Sequence, residues 1–214
     1  MPAVEHAVIA AAGLGSRLGH GKPKALVEVG GAPLIHHQLR LLAEVPDIRV
    51  VVGFNEQAVI DTVRAVRQDV VFVRNPAFRT TTTLTSYAMG AAHLKVNCLF
   101  MDADILFEPK SFAAFVRACV AEEKLVAVTK SKTTDAVFAH IGNGSVERFS
   151  RSDWSQYEWA NLCWLPPGYC EAGEGAVFER FERDLPIRCF EIEAYEVDTP
   201  EDLDAAVAYA ARGQ

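Results

Sequence analysis

Residues 7–24 read Ala7-Val8-Ile9-Ala10-Ala11-Ala12-Gly13-Leu14-Gly15-Ser16-Arg17-Leu18-Gly19-His20-Gly21-Lys22-Pro23-Lys24, a short apolar run passing at once into a loop of glycines and cations. An apolar run without alternation predicts a strand buried on both faces, as in a parallel sheet covered by helices. The glycines free backbone N–H groups to approach a ligand closely, and a nest of such donors suits phosphate oxygens. Arg17, Lys22 and Lys24 add positive charge, and no acid occurs between Glu5 and Glu28. The whole chain holds 21 Lys and Arg against 28 Asp and Glu, a formal net charge of −7, so this local excess marks an anion site. The loop is not a Walker A motif, because no Ser or Thr follows a suitably spaced lysine. It is not the dinucleotide fingerprint either, because Leu18 stands where G-x-G-x-x-G places its third glycine.

Outward from this loop, strands and helices alternate. Ile48 to Val52, Val70 to Val73, Cys98 to Met101 and Leu125 to Val128 are further apolar or β-branched runs. Between them lie helical stretches: one after Pro33, one capped by Asn55, one over residues 84–94 and one opened by Pro109. This order predicts a doubly wound, mostly parallel α/β sheet with helices on both faces. Past residue 130, two apolar runs flank Gly142-Asn143-Gly144 and read as a hairpin. An aromatic patch, a helix near 173–183, a strand at 188–192 and a helix starting at Thr199-Pro200 follow. With 214 residues, no repeat and no linker, the chain reads as one domain, 1–214, with about 131–190 forming a lid. The acidic balance argues against nucleic acid as a partner. Five cysteines without a C-x-x-C pair fit reduced thiols in cytoplasm. The Ala7–Ala12 stretch is too short to cross a bilayer, so no membrane insertion is expected.

Two acidic pieces complete the pattern. Asp102-Ala103-Asp104 ends an apolar strand, and residues two apart on a strand point the same way. Strand-end carboxylates suit a hard cation with its polyphosphate. The second piece is Glu196-Val197-Asp198-Thr199-Pro200-Glu201-Asp202, a strand-to-helix turn.

Gly13-Leu14-Gly15-Ser16-Arg17 followed by Pro23-Lys24 resembles the nucleotidyltransferase signature G-x-G-x-R…P-K, and Ala25-Leu26-Val27 and Gly31-Ala32-Pro33 continue the likeness. With the two acidic pieces, the chain resembles the small cytidylyltransferases of the Rossmann-like GT-A fold, such as those taking phosphocholine or 2-aminoethylphosphonate. Two departures stand out: Thr80–Thr83 replace a stretch where Asn is common, and the acceptor residues have no clear counterparts. The resemblance implies Mg²⁺ held by Asp104 and Asp198, with Asp102 beside the nucleotide as a weaker candidate. Ala11, Ala12, Gly13, Leu14, Gly15, Ser16, Thr83 and Ser86 would bind nucleotide, with Asn75 nearby. Arg17 and Lys22 would hold the outer phosphates and Lys24 the charge on the reacting group. The partners implied are CTP, or another NTP, and a small phosphate or phosphonate acceptor, with a homodimer by analogy.

Trp154, Trp159 and Trp164 fall in one eleven-residue stretch with Tyr157, Asp153 and Glu158. Aromatic faces beside carboxylates suit a cationic head, and Trp154, Tyr157, Trp159 and Glu174 are the candidate acceptor residues. Packing of the lid on the sheet is the alternative for Trp159 and Trp164. Other functional readings are a sugar-1-phosphate or inositol-1-phosphate nucleotidyltransferase, a glycosyltransferase using Asp102-Ala103-Asp104 as D-x-D, and a non-enzymatic nucleotide-binding protein.

Overall fold

The apolar run forms β1 (His6–Ala11), and Val8 and Ile9 are both fully buried although they point to opposite faces. The computed structural model describes residues 4–15, 21–171 and 175–212; the candidates Ser16, Arg17 and Glu174 lie outside them. After β1 come β2 (Glu28–Val29), β3 (Ala32–Pro33), α1 (Leu34–Leu41), β4 (Asp47–Val52), α2 (Glu56–Arg64), β5 (Val70–Arg74) and α3 (Thr83–Ala91). Then follow β6 (Cys98–Asp102), β7 (Ile105–Phe107), α4 (Pro109–Cys119), β8 (Leu125–Lys130), β9 (Phe138–Gly142), β10 (Ser145–Ser150) and β11 (Tyr157–Leu165). The chain ends with α5 (Val177–Phe181), β12 (Ile187–Glu191), β13 (Ala194–Glu196) and α6 (Pro200–Arg212).

The main sheet runs β5-β4-β1-β6-β11-β8-β12-β10-β9. Helices cover both faces, as expected. Ile9, Val50 and Leu99 pack beneath α1, α2 and α4, while Val8, Val51 and Phe100 pack beneath α3 and α5. The expected mostly parallel sheet is corrected. β5, β4, β1 and β6 pair in parallel, but β11 enters between β6 and β8 antiparallel to both. Beyond β12, which is parallel to β8, the hairpin of β10 and β9 adds antiparallel pairs. The sheet is therefore mixed, and what reads as an aromatic patch is one of its central strands.

Asn55 also departs from expectation. It makes no side-chain cap and instead turns the chain into α2 with φ 46°, a left-handed conformation that Asn tolerates. The helix start at Thr199 is capped: Asp202 N–H donates to Thr199 Oγ1 (3.2 Å), and Thr199 N–H to Asp202 Oδ2 (2.9 Å). All five cysteines are free thiols, four of them buried. Among the described residues no helix is long and apolar enough to cross a membrane.

Candidate functional site

At the carboxyl ends of β1 and β6 the chain leaves a cleft of about 520 Å³, the end of an α/β sheet where ligands bind. A volume of this order suits a nucleotide-sized ligand. One wall is the loop after β1. Ala12 O accepts the Phe54 N–H at 3.1 Å, which ties that loop to the chain leaving β4. Gly15 then takes φ +62°, and a Cβ there would lie 2.8 Å from Lys22 O and 3.2 Å from Lys24 Cγ. Only glycine fits this close to Lys22 and Lys24 with that φ. Gly15→Ala should lower the melting temperature by about 2–8 °C, the cost of one strained left-handed residue in a chain of this size. It should also weaken nucleoside triphosphate binding, because Lys24 must shift. A variant matching wild type in both thermal melt and nucleotide titration would remove this role.

Pro23 leads into a single 3₁₀ turn at Lys24–Leu26, with Ala25 buried beneath it. That turn aims Lys24 across the cleft, where its Nζ donates to Asp104 Oδ2 at 2.8 Å and pairs with Asp198 as well. The two aspartates are distant in sequence, and β-pairing brings them together. β13 lies antiparallel on β7, with Glu196 opposite Ile105. Val197 N–H then donates to Asp104 O at 3.0 Å. Asp198, one residue on, is delivered beside Asp104. Burial alone would lower the pKa of Lys24, but Asp104 and then Asp198 more than offset it and hold the ammonium above its ordinary value.

Asp102 and Asp104 both border the cleft, yet they part company. The strand ends at Asp102 and the chain turns at 103–104, so the expected strand alternation does not reach Asp104. Asp102 accepts the Tyr87 hydroxyl at 2.6 Å. Gln38 clamps the turn, its Nε2 donating to Asp102 O (2.8 Å) and Ile105 O (2.9 Å). Burial, and then the charge on Asp104, push the Asp102 carboxyl well above its usual range.

A further acid, Glu196, borders the cleft and is raised for the same two reasons. Its Oε2 accepts from Asn161 Nδ2 at 3.2 Å. Asn161 sits at φ 50° where the register of β11 slips between Trp159 and Cys163, and a bulge of this kind re-aims a side chain. Sequence reading passed over Glu196, Asn161, Tyr87 and Gln38. For Glu196 a signal existed, since it stands two residues before Asp198 in a strand; for the others there was none.

On the flank formed by α3, Asn75 is buried and fully engaged. Its Nδ2 donates to Thr81 Oγ1 (3.0 Å) and Ser86 Oγ (3.3 Å), and its Oδ1 accepts from Ala77 N–H (3.1 Å). Thr83 opens α3 and Ser86 lies one turn on, both bordering the cleft. Thr82 Oγ1 donates to Gly175 O at 2.7 Å, linking this flank to the chain that enters α5.

The remaining candidates separate. Lys22 is exposed and does not border the cleft. Trp159 does border it, with its indole edge-on to Phe181 at 5.5 Å. Trp154 is 64% exposed and lies outside the cleft lining. Tyr157 also stays outside: its ring carries the Lys130 ammonium 4.1 Å from its centroid, and its hydroxyl accepts from Lys130 and donates to Glu191. Trp164 Nε1 donates to Glu122 O, a packing role. His36 and His37 bond backbone carbonyls of Thr62 and Val29, as structural histidines do.

Among the described residues no three His, Cys, Asp or Glu side chains form a metal cage. Asp104 and Asp198 do converge on one cationic point, which Lys24 fills. Two carboxylates completed by substrate phosphates are a usual way to hold Mg²⁺, so the donor set fits that ion.

Residues 7–161 match the MobA-like NTP transferase domain, and the chain belongs to that family. Over 70 residues it is 33% identical to the 2-C-methyl-D-erythritol 4-phosphate cytidylyltransferase of Chlorobium phaeovibrioides (strain DSM 265 / 1930), a match spanning 32% of this chain and 29% of that enzyme. The inositol-1-phosphate CTP transferase from T. maritima is similar in structure, with a TM-score of 0.79 at 15% identity over 99% of this chain and 98% of that one. The CTP:phosphocholine cytidylyltransferase from Streptococcus pneumoniae gives 0.79 at 20% identity, over 96% and 99%. At such identities the likeness is one of fold.

Proposed function

We propose that this MobA-like NTP transferase joins CMP from CTP to a small phosphate or phosphonate acceptor, of the phosphocholine or 2-aminoethylphosphonate type, and releases pyrophosphate. The observation carrying this reading is the sharing of Lys24 between Asp104 and Asp198 at the mouth of the β1 loop. It puts a preorganised cation and a pair of carboxylates at one point, beside glycines that can cradle phosphate oxygens.

In the proposed reaction an anionic acceptor oxygen forms a bond to the α-phosphorus, and the bond from that phosphorus to the β-phosphate bridging oxygen breaks. The attacking oxygen already carries its charge, so no proton has to be removed and positioning supplies most of the rate. The loop of Gly13 to Gly15 binds phosphate oxygens, with Arg17 assigned to the outer phosphates and Lys22, outside the cleft lining, at most to their far end. Lys24 neutralises charge at the reacting phosphoryl group. Asp104 and Asp198 would hold Mg²⁺, which when bound offsets charge on the phosphate oxygens. Ser86, Thr83 and Asn75 form the nucleoside flank.

A second reading takes inositol 1-phosphate or a sugar 1-phosphate as acceptor. Trp154 and Tyr157 stand outside the cleft lining, which leaves a cation cage short of two of its aromatic walls and favours an uncharged polyol. One assay separates the two. The protein is incubated with CTP, UTP, ATP or GTP and with phosphocholine, 2-aminoethylphosphonate, inositol 1-phosphate or glucose 1-phosphate, and pyrophosphate is measured. Release with CTP and an aminated acceptor, abolished by EDTA, is the expected result. Release only with a polyol phosphate selects the second reading, and silence with every pair overturns both.

A further inference from the structure

Two cations border the cleft among the described residues, Lys24 and Arg151, and they are in opposite situations. Lys24 is held by two carboxylates. Arg151 has no acidic partner within ion-pair distance among the described residues; its contact is the face of Phe178, with the guanidinium carbon 5.2 Å from the ring centroid. The turn that presents it is fixed, because Ser150 Oγ accepts the N–H groups of Ser152 (3.2 Å) and Asp153 (2.9 Å). Its neighbour Arg148 is spent elsewhere, on Asp153 and His140. A guanidinium stacked on an aromatic ring keeps its N–H fork free for an oxyanion.

The chemistry needs such a group. A phosphate or phosphonate acceptor brings negative charge toward a triphosphate that is already an anion, and like charges at contact distance repel. The cations assigned to the triphosphate, Arg17 and Lys22, belong to the β1 loop. Arg151 comes from the turn between β10 and β11, lies over Phe178, and borders the cleft together with Trp159. Trp159 adds an indole N–H that is buried without a partner among the described residues, a donor that a ligand oxygen can satisfy.

Resting on the transferase reading, we propose that Arg151 is an acceptor-binding residue whose guanidinium grips the non-attacking oxygens of the acceptor's phosphate or phosphonate group. Specificity at this flank is then first for a doubly charged tetrahedral anion and only second for the group attached to it.

The test uses the full chain with CTP and whichever acceptor of the panel above it turns over. Arg151→Gln and Arg151→Met should raise the acceptor KM by about 10–100-fold, the effect of losing a charge-assisted pair. The KM for CTP should stay within about twofold, because uniform binding of the other substrate is untouched. Arg151→Lys, which keeps charge without the planar fork, should fall between them. Arg151→Met retains the aliphatic stem over Phe178, so wild-type kinetics in that variant would mean packing alone and would overturn the proposal. A matching rise in the KM for CTP would overturn it too, by assigning Arg151 to the nucleotide. If wild type itself releases no pyrophosphate with any acceptor, the transferase reading falls and this proposal with it.

Discussion

Exchanging Lys24 for methionine should lower turnover by about 10²–10³-fold, the usual cost of removing one preorganised charge from a phosphoryl-transfer site. The same variant should lose stability, because Asp104 and Asp198 keep their charges and lose the ammonium that both contact. Their side chains are each 16% exposed, so water recovers only part of the loss. About 3 kcal/mol is expected for breaking such a pair, or roughly 6–12 °C in Tm for a chain of this length. A divalent cation should reverse the second effect and not the first. Added Mg²⁺ or Mn²⁺ meets no competing ammonium in the variant and should raise its Tm more than that of wild type. Turnover stays low because the cation on the reacting phosphoryl group is still missing. Thermal melts with and without the ion, beside pyrophosphate release, read both halves. A variant whose Tm ignores the ion would show that the two carboxylates do not form a cation site.

The parts of this molecule that the sequence discloses are the local ones. The β1 run, its glycines and Lys24 lie within eighteen residues, and the turn at Thr199 carries its own capping pair. Asp104 and Asp198 could be paired only through resemblance, since the pairing that joins them runs through two three-residue strands, β7 and β13. Segments so short carry no periodic signal. The central placing of β11 was hidden for a different reason. Its residues are apolar on both faces and rich in aromatics, which reads equally as a packed patch, and nothing local says which strands will flank it. On β11 Tyr157 and Trp159, two residues apart, share a face, and beyond the register slip between Trp159 and Cys163 the indole of Trp164 packs in the core on the opposite face of the sheet. Position along the strand and that slip, rather than composition, separate the clustered aromatics. Arg151 was unreadable because its position depends on the turn between β10 and β11 and on a ring contributed by α5.

Gly90→Val should be among the most damaging single changes in the chain, and its effect should reach the site from behind. Glycine inside a helix costs about 1 kcal/mol relative to alanine, so its presence in α3 asks for a reason. The helix lies directly on β1 and β4: a Cβ on Gly90 would stand 2.4 Å from Val8 Cγ1 and 3.0 Å from Val51 Cγ2. Both valines are fully buried, and β-branched side chains have little rotamer freedom with which to retreat. The helix has to lift instead. Lifting it pulls Tyr87 from Phe100, whose ring centroid is 5.0 Å away, and from Asp102. It also disturbs Ser86 and, through it, Asn75. A loss of about 3 kcal/mol, or roughly 6–12 °C in Tm, is the expected result of such overpacking. Gly90→Ala should cost less, and pairing it with Val8→Ala should recover part of the loss, because the two changes compete for one space. A Gly90→Val protein melting within about 2 °C of wild type would mean that α3 does not sit this close to the sheet. A double variant no more stable than Gly90→Ala alone would place the strain somewhere other than Val8.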